Sequence, residues 1–321
     1  MQNILVTGVN GFVGNALFES LNMSEGTKAA GLLRHGGSLT AFKPDAELRY
    51  FSDFHDNKSL ELALKDIDCA VHCAARVHMM NDKEIDPLVA FRKVNTEGTL
   101  NLARLAARAG VRRFIFLSTI KTLGEQTLGN KSFAFNDPLQ PEDPYAISKA
   151  EAEAGLKQIA AQTGMEVVII RPPLVYGPGV RANFASMMKL AKKNLPLPLG
   201  AISNKRSLVS VDNLVDLIIT CIHHADAANQ TFLVSDGHDV STTELMRELT
   251  RAAGKKPRLL PVPMEIIRLL CRIVGKSAIA DRLCGSLQVD ISHTKQTLGW
   301  VPPLSFQESI ARTVTGEVET C

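Results

Sequence analysis

From the N-terminus to about residue 176, short apolar runs bounded by glycine, proline and polar clusters alternate with longer stretches of mixed polarity. The short runs at 3–7, 28–33, 48–51, 68–75, 113–117 and 166–170 are almost wholly apolar, the pattern of strands buried on both faces of a parallel sheet. The stretches at 11–21, 87–109 and from Pro144 onward read as helices. Strands and helices in alternation predict an α/β fold, a Rossmann-type doubly wound parallel sheet.

Beyond Gly177 the pattern changes. A helix over 183–192 precedes a proline-rich stretch at 195–200, a strand at 207–211, a helix capped by Asp212 and a strand at 231–234. Ser241-Thr242-Thr243-Glu244 has the form of a capping box opening another helix, and the tail is helical. Two units are expected: residues 1–176, with segments of about 207–235 returning to them, and a smaller C-terminal lobe of mainly 177–321. There is no internal repeat or low-complexity run.

The composition narrows the class of function. A chain of 321 residues with 45% hydrophobic and 21% charged residues can bury a sizeable core. A net charge of +3, with no basic cluster interleaved with aromatics, argues against nucleic acid as a partner. No apolar run approaches the roughly 18 residues of a membrane span, and MQNILVTG enters a strand with no apolar leader, so a cytoplasmic protein is expected. The six cysteines contain no C-x-x-C pair, which argues against a disulfide framework or zinc site; Cys69 and Cys73 read as reduced core residues. The histidines lack metal-ligand spacing, and no metal is expected. There is no G-x-S-x-G elbow, and Gly275-Lys276-Ser277 fails as a P-loop because Leu270 stands where the first glycine is required.

Positive chemistry begins at Thr7-Gly8-Val9-Asn10-Gly11-Phe12-Val13-Gly14, between the first strand and the first helix. Glycines at such a turn let the backbone approach a pyrophosphate, which the free N–H groups of the helix N-terminus attract. Residues 1–176 are therefore expected to bind a dinucleotide, through Gly8, Gly11, Phe12, Val13 and Gly14. Arg34 ends the second strand, where an acidic residue would favour NAD and an arginine accommodates a 2′-phosphate; it tilts the expectation to NADP (NADPH), with NAD as the alternative. Asp53 follows the third strand and can meet an adenine edge, while Ala74 and Ala75 let backbone pass close to a ligand. Tyr145 and Lys149 lie four apart on one helical face, behind Asp143 and Pro144 as N-cap and first helical residue. An ammonium near a phenol favours the phenolate, which predicts a Tyr145 pKa lowered toward use as an acid/base. Ser118-Thr119 puts a hydroxyl at the carboxyl end of a parallel strand, where such sheets bind ligands.

Together these residues resemble the extended short-chain dehydrogenase/reductase family, the nucleotide-sugar epimerase, dehydratase and reductase group. The matching features are Gly8/Gly11/Gly14, Asp68 to Ala75, Asn95 to Thr99, Thr119, Tyr145/Lys149, Arg171 to Gly177 and Trp300, in the family's order over nearly the whole chain. The resemblance implies that Tyr145 exchanges a proton with a sugar hydroxyl or ketone, that Thr119 bridges sugar and phenol, and that Lys149 also holds the nicotinamide ribose. It places Asn95 and Pro172 beside the cofactor, with Lys121, Asn183, Arg206 and Arg282 toward the sugar nucleotide. It also implies a homodimer joined through the helices around Asn95 and Tyr145. Where 4,6-dehydratases carry an Asp-Glu pair after the catalytic hydroxyl, this chain has Ile120 and Lys121, which argues against that reaction. The aromatic of the usual V-Y-G is absent from Thr122-Leu123-Gly124.

Two catalytic readings follow, both at carbon 4 of a nucleotide-linked hexose, a UDP-hexose or UDP-N-acetylhexosamine as in bacterial surface-polysaccharide (O-antigen) synthesis. Arg34 leans the expectation slightly toward a 4-keto-sugar reductase; the resemblance to UDP-glucose 4-epimerases supports the alternative. A non-catalytic dinucleotide sensor is disfavoured because Tyr145 and Lys149 are both present.

Overall fold

The computed structural model describes residues 2–38, 42–77, 86–129, 131–273, 275 and 277–316. Strand β1 (Gln2–Thr7) leads into helix α1 (Phe12–Met23), followed by β2 (Thr27–Arg34), β3 (Leu48–Phe51), α2 (Asn57–Ala63) and β4 (Cys69–His72). Helix α3 (Pro87–Phe91) continues through a π turn (Arg92–Gly98) into α4 (Thr99–Arg108), then β5 (Arg113–Leu117), α5 (Pro144–Thr163) and β6 (Glu166–Arg171). The second half holds β7 (Leu174–Tyr176), α6 (Ala182–Lys193), β8 (Arg206–Ser210), α7 (Val211–His223), β9 (Thr231–Leu233), β10 (Asp239–Val240) and α8 (Thr242–Ala252). It closes with α9 (Met264–Ile273), α10 (Ser277–Cys284), α11 (Ser292–Leu298) and α12 (Phe306–Thr315).

Seven parallel strands form the main sheet in the order β3-β2-β1-β4-β5-β6-β9. The chain reverses its direction of winding between β1 and β4, the topological switch point of a doubly wound sheet. Because side chains alternate along a strand, each run feeds two cores. Ile4, Val6, Val71, Ile115 and Ile170 meet Leu17 of α1 and Leu214 and Ile218 of α7 on one face. Leu5, Ala70, Phe114, Phe116 and Ile169 meet Leu60 of α2, Leu102 of α4 and Leu156 of α5 on the other. This is why the runs lack polar alternation.

A three-stranded sheet, β10-β8-β7, carries a third core around Tyr176, Phe184, Leu208, Met246 and Phe306. Of the returning stretch 207–235, α7 and β9 join the main sheet, whereas β8 pairs with β7 and β10. Trp300 donates its indole N–H to Asp216 at 2.7 Å and pins the tail to α7.

Local signals differ from expectation at three places. The Ser210 hydroxyl, not Asp212, caps α7 by accepting from Asn213 N. Ser241 caps α8, but Glu244 meets His238 at 2.8 Å instead of completing a box. The reciprocal box lies at Ser305 and Glu308, opening α12.

Candidate active site

The turn after β1 is a cradle that side chains would fill. Gly8 has φ +72°, and a Cβ there would lie 2.7 Å from Ala74 N. A Cβ on Gly14 would lie 2.2 Å from Gly8 O. Gly11 N donates to Gly8 O at 2.8 Å, and Gly11 opens α1 with no side chain capping its first turn. Backbone donors and the positive end of the helix dipole are thus presented to an anion at the switch point. Phe12 and Val13 pack their side chains into the core, leaving the backbone to face the turn.

Across the switch point the cradle is braced by His72, fully buried between Thr7 Oγ1 at 2.8 Å and Thr99 Oγ1 at 3.0 Å. Thr7 Oγ1 also accepts from Ala74 N at 3.1 Å. Burial, with the charge of Lys149 adding to it, pushes the His72 pKa down to about 3 and keeps the ring neutral. The adjoining segment after β4, Ala74 to Arg76, is held by Asn95 in the π turn. Its Oδ1 accepts from Arg76 N at 2.8 Å, and its Nδ2 donates to Arg76 O at 3.0 Å and Ser148 Oγ at 3.1 Å. Both amide donors are spent on the chain, so Asn95 acts by positioning the 74–76 backbone against α5.

At the carboxyl ends of β2, β3 and β4 lies a cavity of about 530 Å³, lined by Arg34, Ser52, Asp53, Phe54, His55 and Arg76 among others. Its size and its place beside the cradle suit an adenosine. Asp53 accepts from His55 N at 2.7 Å. Arg34 is exposed at the rim, and among the described residues no hydrogen bond or ion pair fixes its guanidinium. The glycine cradle, uncapped helix and cavity together fit a dinucleotide. A smaller cavity, about 290 Å³, sits by Arg108 and Thr163 at the carboxyl ends of α4 and α5, toward the amino ends of β5 and β6 and away from the glycine turn.

Helix α5 opens on Asp143, whose Oδ1 accepts from Ala146 N at 2.7 Å, with Pro144 following. Lys121 is tied to Asp143 at 2.7 Å and to Glu125 at 2.8 Å, joining the turn after Thr119 to the start of α5. Burial opposes the Lys121 charge, but the two carboxylates outweigh it and raise its pKa. Lys121 thus ties Thr119 and Tyr145 together through the backbone. Thr119 is half-buried past the end of β5, its Oγ1 accepting from Lys121 N at 3.3 Å. Pro172 accepts from Ile120 N at 2.9 Å and fixes the same turn from β6.

Lys149 is buried, donates to Leu117 O at 2.7 Å and lies 4.2 Å from the centroid of the Phe116 ring. One turn earlier Tyr145 is half-buried against Phe91, ring centroids 6.0 Å apart. The pKa expectation needs correction here. Burial, then the Asp143 charge, raises the Tyr145 phenol, and burial lowers Lys149 to about 7 while Cys73 and Glu153 oppose that change. Shared helical face does not mean contact: the ammonium is turned to the end of β5.

Beneath Lys149 lies a pair that the sequence pattern did not single out. Glu153 and Arg171 are both buried and paired at 2.6 Å (Oε2 to Nη2) and 3.0 Å (Oε1 to Nε). Ser118 Oγ donates to Glu153 at 2.5 Å, and Arg171 Nη1 donates to Phe135 O at 3.1 Å. Glu153 follows Lys149 by four, so extending the 145/149 face one turn was the signal available.

The residues assigned toward the sugar nucleotide divide. Arg206 is half-buried and donates to Arg282 O at 3.0 Å, so these two are adjacent through the backbone. Burial lowers the Arg206 pKa. Arg282 is exposed, and Asn183 is exposed in the first turn of α6. Among the described residues no group of three His, Cys, Asp or Glu is placed to hold a metal, and no helix is long and apolar enough to cross a membrane.

Residues 4–235 match the NAD dependent epimerase/dehydratase family. The chain is 53% identical over 313 residues to a UDP-glucose 4-epimerase of Vibrio cholerae, covering 97% of this chain and 94% of that protein. Among solved structures it resembles the UDP-glucose 4-epimerase of Thermotoga maritima with UDP-glucose, at a TM-score of 0.78 and 23% identity over 98% of each chain. It likewise resembles the UDP-glucuronic acid 4-epimerase of Bacillus cereus in complex with NAD, at a TM-score of 0.78 and 18% identity over 98% of each chain. At these identities the two structures speak for the fold alone. The chain belongs to the NAD dependent epimerase/dehydratase family and is an enzyme of the extended short-chain dehydrogenase/reductase type.

Proposed function

We propose that this enzyme inverts carbon 4 of a UDP-hexose, using a tightly held NAD. The observation that carries the reaction type is the 53% identity with a UDP-glucose 4-epimerase along 97% of the chain. The lean toward a 4-keto-sugar reductase is set aside on the same ground. The NADPH preference drawn from Arg34 is set aside with it, since the family is described as NAD dependent.

Gly8, Gly11 and Gly14 with the N-terminus of α1 would hold the pyrophosphate, Asp53 and the 530 Å³ cavity the adenosine, and Lys149 the nicotinamide ribose. NAD bound there would supply the acceptor and donor of hydride for carbon 4, and the 4-keto sugar would have to present its opposite face between the two transfers for the configuration to invert. Tyr145 takes the proton from the O4 hydroxyl and gives it back, with Thr119 hydrogen-bonded to the same oxygen. Lys149 donates to Leu117 O, which orients its ammonium at the end of β5. Ile120 and Lys121 supply no acid/base pair for eliminating water, so the oxygen at carbon 6 is left in place. We further propose that residues 1–176 with the returning α7 and β9 bind the dinucleotide, that the remaining lobe with Asn183, Arg206 and Arg282 binds UDP, and that the enzyme is a cytoplasmic homodimer joined through α3–α4 and α5.

The test is to denature the purified protein and identify the released dinucleotide. Stoichiometric NAD supports the epimerase. An empty protein that takes up NADPH in preference to NADH supports the reductase.

A further inference from the structure

Helix α9 presents an apolar stripe to solvent. Ile266, Leu269, Leu270 and Ile273 recur at the spacing of one helical face and are 46, 57, 57 and 70% exposed, while Ile267 is the one α9 residue counted as buried. Leu260, just ahead of the helix, is 52% exposed. Isolated exposed leucines need no explanation, but four along one stripe of a ten-residue helix form a patch of the kind that marks an interaction surface.

The charge around the patch says what covers it. Arg268 and Arg272 are exposed on the adjoining face of the same helix. From Arg247 to Arg282 the chain holds nine Lys and Arg against three Asp and Glu, a net +6 in a protein whose overall charge is +3. The rest of the chain is therefore net acidic, and on α9 itself the two exposed arginines outnumber the one exposed acid, Glu265. A second copy seated by a two-fold axis would bring this basic segment against itself, which opposes self-association through α9. An apolar face flanked by arginines, on a helix too short to span, is the pattern of a helix lying in the interface of an anionic bilayer.

We propose that α9 docks the enzyme on anionic lipid surfaces, with Ile266, Leu269, Leu270 and Ile273 entering the acyl boundary and Arg268 and Arg272 meeting the headgroups. The enzyme is then a peripheral membrane protein, bound through its second lobe. This inference is independent of the reaction catalysed.

The experiment is vesicle flotation of the full chain with phosphatidylcholine alone and with phosphatidylcholine containing phosphatidylglycerol. The protein should float with the anionic vesicles, and much less with the zwitterionic ones or at high salt. Leu269→Ser/Leu270→Ser/Ile273→Ser and, separately, Arg268→Gln/Arg272→Gln should each lower the bound fraction about tenfold, with unfolding midpoint and sugar turnover unchanged. Failure of the wild type to float overturns the proposal, as does flotation that neither variant reduces. Concentration-dependent self-association that the serine variant abolishes would instead assign the stripe to a second copy and also overturn it.

Discussion

Replacing Arg171 by methionine tests how the floor of the site is held. Arg171 gives Glu153 three contacts of 3.0, 3.2 and 2.6 Å, and both side chains are buried. Without the guanidinium, the Glu153 carboxylate keeps, among the described residues, the Ser118 hydroxyl as its one hydrogen-bond donor, and Phe135 O loses the Arg171 N–H. Removing one side of a buried ion pair costs about 3–5 kcal/mol, because the remaining charge stays desolvated and unpaired. Replacing both sides by apolar residues of similar volume is often neutral. Arg171→Met should therefore lower stability by about 3–5 kcal/mol in urea denaturation with the m-value unchanged, and adding Glu153→Leu should restore most of it. A single variant that loses less than about 1 kcal/mol, or a double variant as unstable as the single, would refute the reasoning.

Tyr145→Phe should reduce turnover by about 10²–10⁴ while dinucleotide binding, followed by calorimetry, stays near wild type; retained turnover would remove Tyr145 from the chemistry. Gly14→Ala puts a Cβ 2.2 Å from Gly8 O, a backbone atom that can yield only by moving the cradle. Overpacking of this kind costs about 1–3 kcal/mol, so dinucleotide affinity should fall about tenfold or more, and unchanged affinity would deny the cradle its role. His72, at about 3 in the folded protein against about 6.5 when unfolded, makes stability fall as pH drops below 6.5, because the unfolded chain takes up the proton first. Between pH 6.5 and 4.5 that loss is about 2–3 kcal/mol. The denaturation midpoint of His72→Gln should change less over that range than the wild type's; parallel curves would contradict the assignment.

The main sheet was legible because its central strands are runs of apolar residues buried on both sides, and the glycine turn and the Tyr145/Lys149 spacing survive without tertiary information. β7 and β10, of three and two residues, exist only through their pairing with β8, which no local pattern announces. The long helix at 87–109 was expected, but not the π turn that turns Asn95 onto both Arg76 and Ser148. That turn depends on packing between elements more than fifty residues apart in sequence. Caps were ambiguous by a residue or two: Ser210 and Asp212 are both good capping residues, and the backbone at 210 decides between them. Helical spacing placed Lys149 on the face of Tyr145 but gave no distance, so the direction of their pKa shifts was not readable. His72 and Arg171 sit within recognised motifs, yet their partners, Thr7 and Thr99 for one and Glu153 for the other, come from other strands and helices.

The most direct test of the central claim is to incubate the purified enzyme with UDP-galactose, and in parallel with UDP-N-acetylgalactosamine, adding no reductant, and to follow the sugars by NMR. The account predicts that at least one substrate reaches equilibrium with its carbon-4 epimer with no net consumption of dinucleotide. No interconversion of either pair, together with NADPH-dependent reduction of a 4-keto sugar nucleotide, would contradict it.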